Sequence, residues 1–139
     1  MYGVSGEYQI CLSSKISYSE SKYKLKKCNI LGHSDIAYNR KKDPGEKFPW
    51  KLFSRYNIGI WHNLKKNRLI NQRRAKLNNN EDKKFLKKLS KIGYFVEKKS
   101  SLKRKNLIIA FQRRFRSELI NGISDRECLI IANKLSKLS

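Results

Sequence analysis

Apolar residues recur at helical spacing along the last two-fifths of the chain. Phe85, Leu86, Leu89 and Ile92 share one face of a 3.6-residue repeat, and Gly93 follows where a helix would stop. Leu107, Ile108, Phe111 and Phe115 recur at i, i+1, i+4 and i+8, with Ser100 or Ser101 placed to cap a second helix. Asn121-Gly122 then predicts a turn. Ser124 and Glu127 read as an S-x-x-E capping box opening a third apolar run of Leu129, Ile131, Ala132 and Leu135. The pattern predicts a small three-helix module over 81–139.

Upstream the pattern is sparser. "GEYQICL" (6–12) has strand character, "SYSESKYKLKK" (17–27) suits a short polar helix, and "CNIL" (28–31) suits a buried strand. Gly32 opens a loop carrying His33, Asp35, Lys41 and Asp43, and Pro44-Gly45 turns the chain. "FPWKLFSRYNIGIW" (48–61) predicts a helix beginning near Pro49, with Trp50, Leu52 and Phe53 as its apolar surface and Asn57 or Gly59 as stop signals. Residues 63–80 are mostly basic and amide side chains and read as a linker.

Composition narrows the partners. The 139 residues hold 33 lysines and arginines against 11 acids, a formal net charge of +22 that suits a polyanionic neighbour such as nucleic acid, a membrane surface or cell wall. Lysine outnumbers arginine, and asparagine and isoleucine are plentiful, which an AT-rich genome explains equally well. "KKNRLINQRRAK" (65–76) is the densest basic run, but no nucleic-acid-binding motif accompanies it. Cys11, Cys28 and Cys128 are odd in number and form no CxxC pair, so they predict neither a disulfide framework nor a cysteine zinc site. No apolar stretch reaches the roughly 18 residues of a membrane helix. The start lacks the basic-then-apolar order of a signal peptide, so the expectation is a soluble, unexported chain.

The loop at 32–45 holds the candidate chemistry. Hydrolytic zinc is commonly held by three nitrogen or oxygen side chains, with water in the fourth position. His33 and Asp43 could be two of those ligands. Lys41 could set a positive charge near a developing oxyanion.

"GHSDIAYNRKKDPGEKFPW" (32–50) resembles the signature of the zinc-dependent type-two N-acetylmuramoyl-L-alanine amidases, relatives of the peptidoglycan recognition proteins. The family pattern runs Gly-His-Ser-Asp-Ile-Ala-Pro-Gly-Arg-Lys, one variable residue, Asp-Pro-Gly, and shortly afterwards Phe-Pro-Trp. The resemblance implies zinc ligation by His33 and Asp43, assistance to catalysis by Lys41, and loop support from Asp35 and Arg40. It implies hydrolysis of the amide between N-acetylmuramic acid and L-alanine, with peptidoglycan or muropeptides as partners. "KIGYFVEKKSSLKRKNLIIAFQRRFRSELINGISDRECLIIANKL" (91–135) resembles the helical peptidoglycan-binding module of the longer, envelope-located members.

Two departures shape the expectation. The family carries its first zinc histidine and its general-base glutamate well upstream, in the sheet of an α/β domain. Here no histidine precedes His33, His62 is the only other, and neither Glu7 nor Glu20 has the matching context. The family's Ala-Pro-Gly turn is also Ala37-Tyr38-Asn39, where asparagine would have to tolerate left-handed backbone. The sequence thus predicts an α+β chain: an incomplete remnant of an α/β amidase domain over 1–62, a basic linker over 63–80 and the three-helix module over 81–139. A truncated chain of this kind is expected to be inactive, with peptidoglycan binding by the helices as the alternative function and nucleic-acid binding a more distant one.

Overall fold

The structure, a computed structural model, describes residues 26–97 and 100–139. Cys11, Glu7, Glu20, the expected strand at 6–12 and nearly all of the helix expected at 17–27 lie outside the described residues. Within them the order is a 3-10 turn at Lys27–Asn29, then α1 (His33–Ile36), α2 (Trp50–Arg55), α3 (Lys66–Ile70), α4 (Asn79–Ile92), α5 (Ser101–Phe115) and α6 (Arg126–Leu135).

The three predicted helices are α4, α5 and α6. Asn78 caps α4 reciprocally: its side chain accepts from Glu81 N at 2.9 Å, and its own N–H donates to Glu81 Oε2 at 3.0 Å. Gly93 ends the helix in left-handed backbone at φ 112°. Ser100 caps α5 by accepting from Lys103 N. The apolar stripes then meet: Phe85, Leu89, Leu107, Phe111, Ile131 and Leu135 are all buried in one core, with Phe85 and Phe111 edge to face at 5.5 Å. Each such side chain contributes about 1.5–3 kcal/mol on leaving water, so this core dominates the described fold.

The cap of α6 differs from the expected Ser124–Glu127 box. Asp125 is the cap, its side chain accepting from Cys128 N at 2.9 Å, while Ser124 donates to Asp82 at 3.0 Å. Glu127 instead turns inward, taking a two-pronged contact from Arg73 at 2.6 and 2.8 Å and a third bond from Arg116. A buried arginine needs carboxylates more than a helix end needs a second cap. Asp125 is drawn into the same network and, although burial opposes ionisation, the Cys128 N–H and Arg116 hold its carboxyl below the usual range.

The strand expected at 28–31 is absent. Cys28 and Asn29 belong to the 3-10 turn, and the described residues contain no strand, only an isolated bridge between Lys76 and Asp125. The described chain is therefore helical. The stretch expected to link the two parts carries α3, buries Leu69, and is stitched to the start of α6 by Arg126 N to Ala75 O and Arg74 N to Asp125. Cys128 is buried, and burial pushes its thiol up to about 12, so it acts as an inert small hydrophobe.

Candidate functional site

Loop 32–45 is built from the inside out. Asp35 is buried on the first turn of α1, where it accepts from Gly32 N at 2.9 Å and so closes the entry to its own helix. The same carboxylate takes Tyr94 OH at 2.6 Å and forms an ion pair with Arg114, whose side chain is as buried as its own. Arg114 also donates to Ile30 O at 3.0 Å and lies over the Trp50 ring at 4.0 Å. Burial, with the Asp35 charge beside it, pushes the Tyr94 phenol well above its ordinary range, so it stays a donor. The loop is thereby fixed to α2 and α5.

Gly32 is required by close approach. A Cβ there would stand 2.5 Å from Pro44 Cδ, and only glycine lets the two ends of the loop meet. Ser34 N donates to Asp43 O at 2.8 Å, closing the loop across its base.

This base brings His33 and Asp43 together. His33 Nδ1 and Asp43 Oδ2 stand 2.6 Å apart, with side chains 76% and 62% exposed. The histidine's hydrogen bond, before any other influence, holds the Asp43 carboxyl below its usual range. Lys41 and Arg40 share the loop and point to solvent; their backbone N–H groups donate to Ala37 O. A shallow recess of about 240 Å³, lined by Leu31, Pro44, Phe48 and Trp50 among others, lies beside His33.

Tyr38 and Asn39 give the altered turn a different support. Tyr38 is buried and donates to Phe95 O at 2.7 Å, and Asn39 Oδ1 accepts from Asn106 on α5 at 3.2 Å. Asn39 does not adopt left-handed backbone. Contacts to the α4–α5 connection and to α5 replace the rigidity that proline would supply.

His62 is a structural residue. It is buried, with Nε2 3.3 Å from Phe115 O and Nδ1 accepting from Leu64 N at 3.1 Å, so both nitrogens are occupied. Burial pushes its pKa below 6.5. The folded state therefore favours neutral His62, and its contribution is complete above pH 6.5 and lost as pH falls through the folded value. His62→Gln, which keeps a donor for Phe115, should flatten the fall of the melting temperature between about pH 7 and 5; an unchanged slope would exclude this role.

His33 and Asp43 fit two positions of a zinc site. Catalytic zinc takes three protein ligands, and no group of three histidine, cysteine or acidic side chains able to hold a metal occurs among the described residues. The donor set in the described chain is therefore incomplete, and no hydrolytic step follows from it alone.

Sequence reasoning missed Arg114 and Tyr94. Arg114 lies three residues after Phe111 and seven after Leu107, on the apolar stripe of α5. A cation in that register is the signal for a buried partner.

The N-acetylmuramoyl-L-alanine amidase AmiD of Escherichia coli K12 is 34% identical over 116 residues, covering 83% of this chain and 42% of AmiD. The E. coli AmiD structure in complex with anhydro-N-acetylmuramic acid-L-Ala-D-γ-Glu-L-Lys superposes with TM-score 0.75 at 31% identity, over 94% of this chain and 50% of that one. AmpDh3 from Pseudomonas aeruginosa superposes with TM-score 0.78 at 30% identity, over 98% and 54%. The AmpDh3 complex with an anhydromuramic pentapeptide matches equally well, at 28% identity. The chain spans about half the length of these relatives. No protein-family model matches it.

Proposed function

Because the chain is a relative of the N-acetylmuramoyl-L-alanine amidases, homologous to AmiD along 83% of its length, we propose that it is a peptidoglycan-directed protein carrying part of their zinc centre. His33 and Asp43 are its two metal ligands, Lys41 is the cation for the oxyanion, and Asp35 and Arg40 support the loop. The observation that carries this reading is the exposed His33–Asp43 contact at 2.6 Å on a loop locked from beneath by buried Asp35. Zinc bound at a completed centre would supply activated water. Lys41 would then hold its charge beside the carbonyl oxygen, and Asp35 would keep the two ligands in register.

With two candidate ligands among the described residues, the 139-residue polypeptide binds peptidoglycan without cleaving the amide between N-acetylmuramic acid and L-alanine. Residues 1–62 are read as part of an amidase domain and 81–139 as the helical wall-binding module. The buried core, which α4, α5 and α6 share with Tyr38, Ile60 and Leu69, supports the binding role by holding the helices in one fixed arrangement. Sedimentation with insoluble peptidoglycan tests it: the protein is expected in the pellet at moderate salt, and protein remaining in the supernatant overturns the reading. Retention that falls steeply with salt and moves to added DNA would instead favour the nucleic-acid alternative.

A further inference from the structure

The corner between α4 and α5 presents apolar side chains that the fold does not use. Tyr94 takes the inward position of the connection, Tyr38 holds the carbonyl of Phe95, and the Phe95 side chain is left 70% exposed. Leu102, in the first turn of α5, is 66% exposed because the buried stripe of that helix begins only at Leu107. Between the two elements runs a groove of about 840 Å³ lined by Leu86, Val96, Lys83, Lys87, Ser100 and Arg104, among others. The acids of this corner are engaged: Asp82 pairs with Arg104, Glu97 with Lys103, and Glu81 faces Arg126. Lys83, Lys84, Lys87 and Lys91 of α4 face solvent.

We infer that this corner docks the protein onto an anionic phospholipid surface, with Phe95 and Leu102 entering the headgroup–acyl boundary and the α4 lysines meeting the phosphates. Basic side chains beside exposed apolar ones are the combination such a surface rewards, since it offers charge and an apolar layer together. The net charge of +22 supplies the attraction. Leu102 decides between partners. A nucleic acid can stack a base on Phe95 but gains nothing from a leucine, and a soluble polyanion gains from neither. No helix among the described residues is long and apolar enough to span a membrane; the contact proposed for this corner is a peripheral one.

Sedimentation with phosphatidylcholine vesicles containing about one-third phosphatidylglycerol tests this. The wild-type chain should partition onto them and not onto pure phosphatidylcholine. F95S/L102S should lower the partition coefficient at least about tenfold while leaving retention on heparin unchanged. L102S alone should lower vesicle binding and leave binding to a short single-stranded RNA unaltered. K83E/K87E/K91E should reduce both vesicle and heparin binding. Vesicle binding by F95S/L102S equal to wild type would reduce the corner to general charge and overturn the proposal. So would wild-type protein that stays in the supernatant, or an L102S variant weakened on RNA as much as on lipid.

Discussion

Asp35→Ala should lower the stability of the folded chain by about 3–5 kcal/mol, read from the urea midpoint. The substitution removes one carboxylate and strands three groups: the Arg114 guanidinium, the Tyr94 hydroxyl and Gly32 N. Arg114 retains Ile30 O and the Trp50 face, but neither neutralises a charge buried to this depth. The largest part of the penalty arises from the charge left behind, so Asp35→Leu combined with Arg114→Met should recover that part, while the Tyr94 hydroxyl and Gly32 N stay unpartnered. Glu118→Ala provides the contrast. Its pair with Lys66 at 3.2 Å is solvent-exposed and should change stability by no more than about 1 kcal/mol. A loss below about 1 kcal/mol for Asp35→Ala would mean that the loop is not coupled to the helices through this carboxylate. Since a domain of this size holds roughly 5–15 kcal/mol in all, hydrogen exchange should show the 32–45 loop opening first in the variant.

The parts of this fold legible in the sequence are those governed by local repetition. Helices α4, α5 and α6 each run ten residues or more, long enough for the apolar period and the terminal signals to agree. Helix α2 was legible from Pro49 and Trp50 for a different reason: proline at the entry and Asn57 and Gly59 in left-handed backbone at the exit are chemical punctuation. Helices α1 and α3, four and five residues long, are too short to show a period. The cap of α6 is not legible locally: Ser124 and Asp125 adjoin, and the choice between them is made by Asp82 and Arg73, far away in sequence, together with Arg116 from the end of α5. Of the candidate site, the approach of His33 to Asp43 follows from a motif with a tight glycine entry. The Asp35–Arg114 pair spans 79 residues, and nothing local announces which acid a buried arginine will take.

Zinc and an anhydromuropeptide supplied together to the 139-residue polypeptide should yield no released stem peptide. The two candidate donors among the described residues would hold a metal loosely, because affinity rests on ligand count and prepared geometry. The other histidine offers no help, since both His62 nitrogens are committed to Phe115 and Leu64. Lys41 cannot compensate either: an exposed ammonium stabilises an oxyanion only where the carbonyl is held beside it and water is excluded. Amidase-scale acceleration, at least about 10⁶-fold over the uncatalysed reaction, should therefore be wholly absent, with E. coli AmiD as the active control in a chromatographic assay of the freed peptide. Zinc titration followed by calorimetry should still show weak binding that His33→Ala and Asp43→Ala each remove. Release of peptide that both substitutions abolish would show that the chain completes its own centre, and zinc affinity indifferent to both would move the metal away from this loop altogether.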